Sequence, residues 1–395
     1  MVKKLTIDLS APDPIPEAGI QRAVELMKSG RLFRYGEDRS GELDVAAVER
    51  EFAAYLGARY CVAFNSCGAS LFVALKCAGV QPGDKVLVNA FTLAPVPGAV
   101  NHAGAEPVYI ECGDDYTLDL ADLEAKASRD TRVLLLSHMR GHIADMDAVV
   151  DICRRRNILL IEDCAHTMGA RWNHQFTGTF GAIGCFSTQT FKHANSGEGG
   201  LLTTDDEDVA ARAVLYSGSY MLYAQHGASP APDVFDRFKY EIPNYSMRMS
   251  ALAAAVLRPQ LAMLPERSAV WKSRYELLAG LLSRHPLIRI PPRSAKEDFV
   301  PSSIQFTILK LTADEIDAFV TRCAAAGLHI KWFGRTEALG FTASYEHWRY
   351  VKRPPTLART AEVLSRLCDI RIPLALTDEH CHIISSIIHE SLPAD

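Results

Sequence analysis

The chain has 395 residues, 48% of them hydrophobic and 23% charged, with a formal net charge of −5. That length predicts a large domain plus a smaller one, the composition is that of a globular protein, and the mild acidity argues against the basic patch of a nucleic-acid surface. No apolar run is long enough to span a bilayer, residues 1–10 lack a signal-peptide core, and the ten cysteines form no C-x-x-C pair, so reduced thiols in a cytoplasmic protein are expected.

In chain order, short apolar runs rich in Val, Leu and Ile predict strands at Cys61–Phe64, Val86–Ala90, Pro107–Glu111, Val133–Ser137, Ile158–Glu162 and Gly200–Thr204. They show little polar alternation, as strands buried on both faces do. Helical patterns fall between them at Ala69–Ala78, Leu120–Ala127, Met146–Arg155 and Asp206–Leu215. Alternation of this kind predicts right-handed crossovers and a mainly parallel sheet. Ligands of such sheets bind outside the carboxyl ends of the strands, so the loops after Phe64, Ala90, Ser137 and Glu162 are expected to line one site. After about residue 250 the pattern becomes a smaller α+β unit. It comprises a helix over Ser250–Leu264, a strand at Ile304–Leu309, a helix at Ala313–Ala325 and a strand at Leu328–Phe333. A helix at Leu357–Cys368, a strand at Ile370–Pro373 and a last helix capped by Thr377 complete it. The expected division is 1–250 and 251–395. The connectors Ser217–Asn244 and Arg335–Pro355 are long enough to be functional loops.

Four pieces of the first unit converge on one chemistry. Asn65-Ser66-Cys67-Gly68-Ala69-Ser70 follows a strand and opens a helix, where backbone N–H groups and small side chains suit an anion; a purely structural turn is the competing reading. Glu162-Asp163-Cys164-Ala165-His166 puts an acid at the end of a buried strand, which is costly unless the acid is paired. A carboxylate there, facing the pyridinium nitrogen of pyridoxal 5′-phosphate (PLP), keeps that nitrogen protonated and makes the ring an electron sink. The alternatives are a cap on the next segment or a metal ligand with His166. In Gly184-Cys185-Phe186-Ser187-Thr188-Gln189-Thr190-Phe191-Lys192, Lys192 lies between an apolar strand end and the glycine-rich Ser196–Gly200. Partial desolvation would keep its amine unprotonated and able to attack an aldehyde, and Ser187 is placed to reach a phosphate. The last piece, Phe91-Thr92-Leu93-Ala94-Pro95, sits where a side chain would cover one face of a ring.

These motifs, with Phe52–Gly57, Gly83-Asp84-Lys85-Val86, Asp145-Met146-Asp147, Gly197-Glu198-Gly199-Gly200 and Arg248-Met249-Ser250, make the chain similar, from about Phe33 to its last helix, to the DegT/DnrJ/EryC1/StrS family of PLP-dependent aminotransferases of fold type I. The resemblance implies an α/β fold with a mainly parallel sheet sandwiched by helices and a smaller C-terminal α+β domain. It implies Lys192 as the Schiff-base lysine, Asp163 on the pyridine nitrogen and His166 near the cofactor's phenolic oxygen. Cys67, Gly68 and Ser187 match phosphate-cradle positions. It further implies a homodimer with shared sites, the segment around Asn244–Arg248 reaching the partner's cofactor. The expected reaction moves an amino group from a glutamate- or glutamine-like donor to a carbonyl acceptor, a keto-sugar or cyclitol.

Departures from the family pattern bear on the site. The usual Gly-Thr phosphate turn is Cys67-Gly68 here, with Ser70 as a replacement hydroxyl. Leu93 stands where an aromatic ring commonly stacks. Ser246 replaces the usual asparagine, with Asn244 two residues earlier. The family's apolar His-Leu-Tyr-Gly run is His138-Met139-Arg140-Gly141, and Arg140 suits a substrate carboxylate or phosphate, which keeps a small acidic keto acceptor open. Tyr220, Tyr223, Lys331, Trp332 and Arg335 are further substrate-side candidates by loop position. The rival classes are a PLP-binding regulator, another PLP reaction such as dehydration or decarboxylation, and a metal-dependent hydrolase built on His138, His142, His166 and Cys164.

Overall fold

The computed structural model describes residues 4–36, 43–340, 344–351 and 356–393. Its central sheet has seven strands: β1 (Tyr60–Phe64), β2 (Lys85–Asn89), β3 (Glu106–Ile110), β4 (Thr131–Ser137), β5 (Leu159–Asp163), β6 (Ile183–Ser187) and β7 (Gly200–Thr204). They lie in the order β1-β7-β6-β5-β4-β2-β3. The pairings among β3, β2, β4, β5 and β6 are all parallel, and only β7 runs antiparallel to its neighbours β1 and β6. The strands are mostly buried, which is why they read as continuous apolar runs rather than alternating ones. Periodicity missed β6 as an element, because Gly184 and Cys185 break its apolar signal.

A second sheet, antiparallel throughout, has the order Ile288–Arg289, Ser303–Ile308, Leu367–Arg371, Lys331–Trp332. One apolar cluster joins the two sheets, with Leu87, Leu134 and Leu136 from the first and Ile304, Phe306, Ile370, Phe319 and Ile384 from the second unit. This shared core holds the end of β4 against the second sheet.

Several expected elements are displaced. The helix expected over Ser250–Leu264 is two, Ala251–Leu261 and Leu264–Leu282, with Pro265 in the first turn of the second, where a missing N–H costs nothing. The helix expected to reach Cys368 stops at Ser365. The strand expected at Ile370–Pro373 instead spans Leu367–Arg371 and pairs with Ser303–Ile308, so Cys368 is a buried strand residue: tertiary pairing overrides local helix preference. The strand expected over Leu328–Phe333 contracts to Lys331–Trp332. Helices Glu17–Ser29, Asp44–Leu56 and Pro95–His102 add to the elements read from the sequence. Residues 341–343 and 352–355 of the expected Arg335–Pro355 loop lie outside the described residues.

Caps follow side-chain chemistry. Thr377 accepts from the His380 N–H and caps the last helix as expected, and Thr312 forms a full capping box with Glu315 at the start of Ala313–Ala325. Thr312→Ala is expected to cost about 1 kcal/mol, read as a lowered denaturant midpoint with an unchanged slope.

Candidate active site

Parallel neighbours in register bring the strand ends together. Ser137 of β4 stands beside Asp163 of β5, which stands beside Cys185 of β6, two residues before Ser187. Across from these ends the helix Cys67–Cys77 begins, its first turn capped by Ser66, whose hydroxyl accepts from the Ala69 N–H. A Cβ at Gly200 would lie 2.3 Å from the Ser66 carbonyl oxygen and 2.6 Å from the Cys67 nitrogen, so glycine in β7 is what lets this turn seat against the sheet. Between the turn and the strand ends is a cavity of about 420 Å³. Its walls include Cys67, Gly68, Leu93, Asp163, His166, Ser187 and Lys192, so seven sequence-predicted residues share one chamber.

Lys192 Nζ lies 2.7 Å from His166 Nε2. Burial lowers the lysine's pKa to about 8, and the nearby Arg140 charge pushes the same way. Burial, followed by the Lys192 and Arg140 charges, holds the His166 imidazole far below its ordinary range, and therefore neutral. Asp163 is buried, and its carboxyl pKa is raised by that burial; the Ser137 hydroxyl donating to Oδ2 at 2.8 Å and the Ala165 N–H donating to Oδ1 at 3.1 Å partly offset this. A cationic ring nitrogen opposite Asp163 would supply the missing compensation. A buried acid, an amine whose pKa is lowered and a helix N-terminus with small side chains line one cavity and make a donor set that fits PLP. When bound, the cofactor supplies an electron sink and an aldehyde carbon for the amine.

A protonated amine cannot attack an aldehyde, so a lowered pKa enlarges the reactive fraction at neutral pH. Capture of PLP by the apoprotein, followed by the cofactor's absorption, is therefore expected to accelerate through a midpoint near pH 8. A midpoint near the ordinary lysine value of 10.5 would contradict this geometry.

Two expected cofactor contacts stand apart from the chamber. Ser70 is fully buried and donates its hydroxyl to the Cys67 carbonyl at 2.8 Å. One helical turn in from the N-terminus, its side chain stabilises the helix instead of facing the cavity, which corrects its reading as the replacement phosphate hydroxyl. Asn244 is exposed, outside its own chain's cavity, with Oδ1 accepting from the Ser246 N–H at 2.9 Å. The cavity also contains residues to which the sequence reading gave no individual role: Ser66, Ser137, Met139, Gln189 and Glu198. Ser137 was within reach of inference, since the residue ending a parallel strand next to β5 must neighbour Asp163.

The four candidates for a metal centre do not converge. His142 Nε2 lies 2.8 Å from Gln305 Oε1 and His166 faces Lys192. Among the described residues, His138 and Cys164 group instead with Glu162. Glu162 points to the opposite face from Asp163, as adjacent strand residues do. Its oxygens accept from the N–H groups of Gly178, Phe180 and Gly181, all at 2.8 Å, so this carboxylate ties a loop to the sheet. Of the substrate-side candidates, Tyr223 stacks on Phe235, Trp332 donates to the Ser365 carbonyl and Arg335 pairs with Asp317. Tyr220 is exposed with the Arg248 guanidinium over its ring.

Fold and site together define a PLP-dependent aminotransferase of fold type I. The chain belongs to the DegT/DnrJ/EryC1/StrS aminotransferase family, whose model matches residues 15–388. It is 31% identical over 319 residues to the spore coat polysaccharide biosynthesis protein SpsC of Bacillus subtilis (strain 168), covering 77% of this chain and 75% of that one. It is 42% identical over 172 residues to the L-glutamine:scyllo-inosose aminotransferase of Streptomyces griseus, covering 42% and 41%. The crystal structure of 3-amino-5-hydroxybenzoic acid synthase superposes with a TM-score of 0.84 at 28% identity, covering 97% of this chain and 98% of that one. Among the described residues, no helix is long and apolar enough to cross a membrane.

Proposed function

We propose that the Lys192 cavity transfers an amino group from glutamate or glutamine to the ketone of a sugar or cyclitol. The observation that carries this reading is the Lys192–His166 contact of 2.7 Å in a cavity that Asp163 also lines. The acceptor class draws on the relatives, one named for scyllo-inosose and another for a coat polysaccharide.

In this reading Lys192 would hold the cofactor, and its Nζ would carry the proton taken from the donor's Cα. Asp163 would offset positive charge on the ring nitrogen. His166, kept neutral, orients the Lys192 amine. Cys67 and Gly68 offer backbone N–H groups and Ser187 a hydroxyl to the phosphate, and Leu93 packs on the ring face. Asn244, exposed on its own chain, serves the partner's cofactor in a homodimer. The division at residue 250 and a cytoplasmic location complete the reading; ten unpaired cysteines support the latter.

The test loads purified protein with PLP, adds L-glutamate or L-glutamine, and follows the cofactor's absorption. Scyllo-inosose is then added and the aminated product sought by mass spectrometry. A cofactor that takes nitrogen from no donor would favour the regulatory alternative and sink the transaminase reading of this site.

A further inference from the structure

One face of the second sheet carries a polar and charged row next to the segment that holds Lys192. Gln305, Asp369 and Lys331 are cross-strand neighbours in register, and Arg371 lies two residues beyond Asp369 on the same face. Arg140 meets this row from the turn Met139–Gly141 after β4, at a left-handed φ of 56° that is uncommon for a residue with a side chain. Its Nη2 lies 3.3 Å from Asp369 Oδ2. Gln305 donates to the other Asp369 oxygen at 2.6 Å. The Arg371 guanidinium lies 4.6 Å from the ring of Phe191, the residue before Lys192.

Arg140, Lys331 and Arg371 gather about the buried Asp369 carboxylate, and Arg371 also feels Asp13 and Asp8 of the N-terminal segment. The Arg140 charge is felt at Lys192, His166, Lys331 and Arg371 alike. Despite the nearness of Arg140 to Asp369, the buried Arg140 Nε has no hydrogen-bond partner among the described residues, and neither has Asp369 Oδ2. A buried guanidinium N–H left unused is costly unless a ligand supplies an acceptor, and a guanidinium fork matches a carboxylate.

We infer that Arg140 is a specificity-determining residue, which docks a substrate carboxylate beside the Lys192 amine with Lys331 and Arg371 in support and Asp369 as the resident counter-ion. This rests on the aminotransferase reading of the Lys192 cavity. The carboxylate comes either from the amino donor or from a keto-acid acceptor.

The experiment uses the PLP-loaded enzyme and glutarate, a dicarboxylate with no amine to transfer, titrated by calorimetry. R140M is expected to weaken glutarate binding at least about tenfold, and D369N, which removes the competing carboxylate while leaving an oxygen for Gln305, is expected to tighten it. A merely structural Arg140–Asp369 pair would weaken binding in both variants, and that result, or wild-type affinity in R140M, overturns the inference. Should R140M fail to fold, R140K and D369N carry the same contrast. Two kinetic arms separate the sources. A raised KM for L-glutamate with little change in kcat assigns the carboxylate to the donor. Slowed return of nitrogen to pyruvate but not to scyllo-inosose assigns it to the acceptor. Conversion of the wild-type cofactor by L-glutamate tests the transaminase reading separately, since glutarate binding requires no turnover.

Discussion

Lys192→Ala is expected to reduce amino transfer by at least about 10⁴-fold, because it removes both the covalent anchor and the base that moves the proton. Neighbouring groups do not replace it. His166, at 2.7 Å from Nζ, is held neutral by burial and by the cations around it, and an imidazole forms no comparable link to an aldehyde. The variant should fold normally. The amine is a desolvated group whose pKa is pushed down, so the burial cost its removal relieves offsets the lost contact with His166, and the melting temperature is expected to change little. Single-turnover assays with L-glutamate and thermal unfolding together check this. Ordinary turnover in the variant would remove Lys192 from the mechanism.

Asp163→Asn is expected to slow the reaction by roughly 10²- to 10⁴-fold while leaving the fold intact. Removing one partner of a buried charge pair costs roughly 3 to 5 kcal/mol, and each 1.36 kcal/mol is tenfold in rate; here the partner lost is the counter-charge of the cofactor's ring nitrogen. The amide oxygen still accepts from either the Ser137 hydroxyl or the Ala165 N–H, so stability is expected to change by only about 1 kcal/mol. Slow turnover with an unchanged melting temperature separates this from a folding defect. If the substitution instead unfolds the protein, Asp163 is a structural acid and the electron-sink assignment fails.

Both predictions rest on residues legible in the one-dimensional pattern, because strand ends and glycine-rich turns announce themselves locally. Lys192, Asp163, Ser187 and Leu93 were singled out that way, and the family resemblance added His166, Cys67 and Gly68; the structure gathers all seven in one cavity. Ser70 was misplaced because a hydroxyl in the first turn of a helix reads the same whether it faces a ligand or the Cys67 carbonyl; only the helix's rotation decides. Buried charge was the least legible feature. Glu49 lies inside Asp44–Leu56 with no exposure and accepts from Arg34 at 2.6 and 2.7 Å. Burial pushes its pKa up, but Arg34 outweighs this and holds the carboxyl at about 2. Nothing in the local sequence distinguishes such a glutamate from one on a solvated helix face.

What the sequence determined alone was the succession of buried strands and the identity of the groups at their ends, since apolar runs, caps and glycines act through neighbours a few residues away. The tertiary structure alone decided which of those ends meet. Register set Ser137 beside Asp163, and antiparallel pairing turned the expected end of a helix into the strand Leu367–Arg371. The same pairing carried Asp369 to within 3.3 Å of Arg140, more than two hundred residues earlier in the chain. Such contacts depend on packing between distant segments, which no local propensity encodes. The setting of Lys192, between a strand end and a glycine-rich turn, was therefore readable from its own stretch of chain, whereas the charged row emerged only when two sheets were brought together.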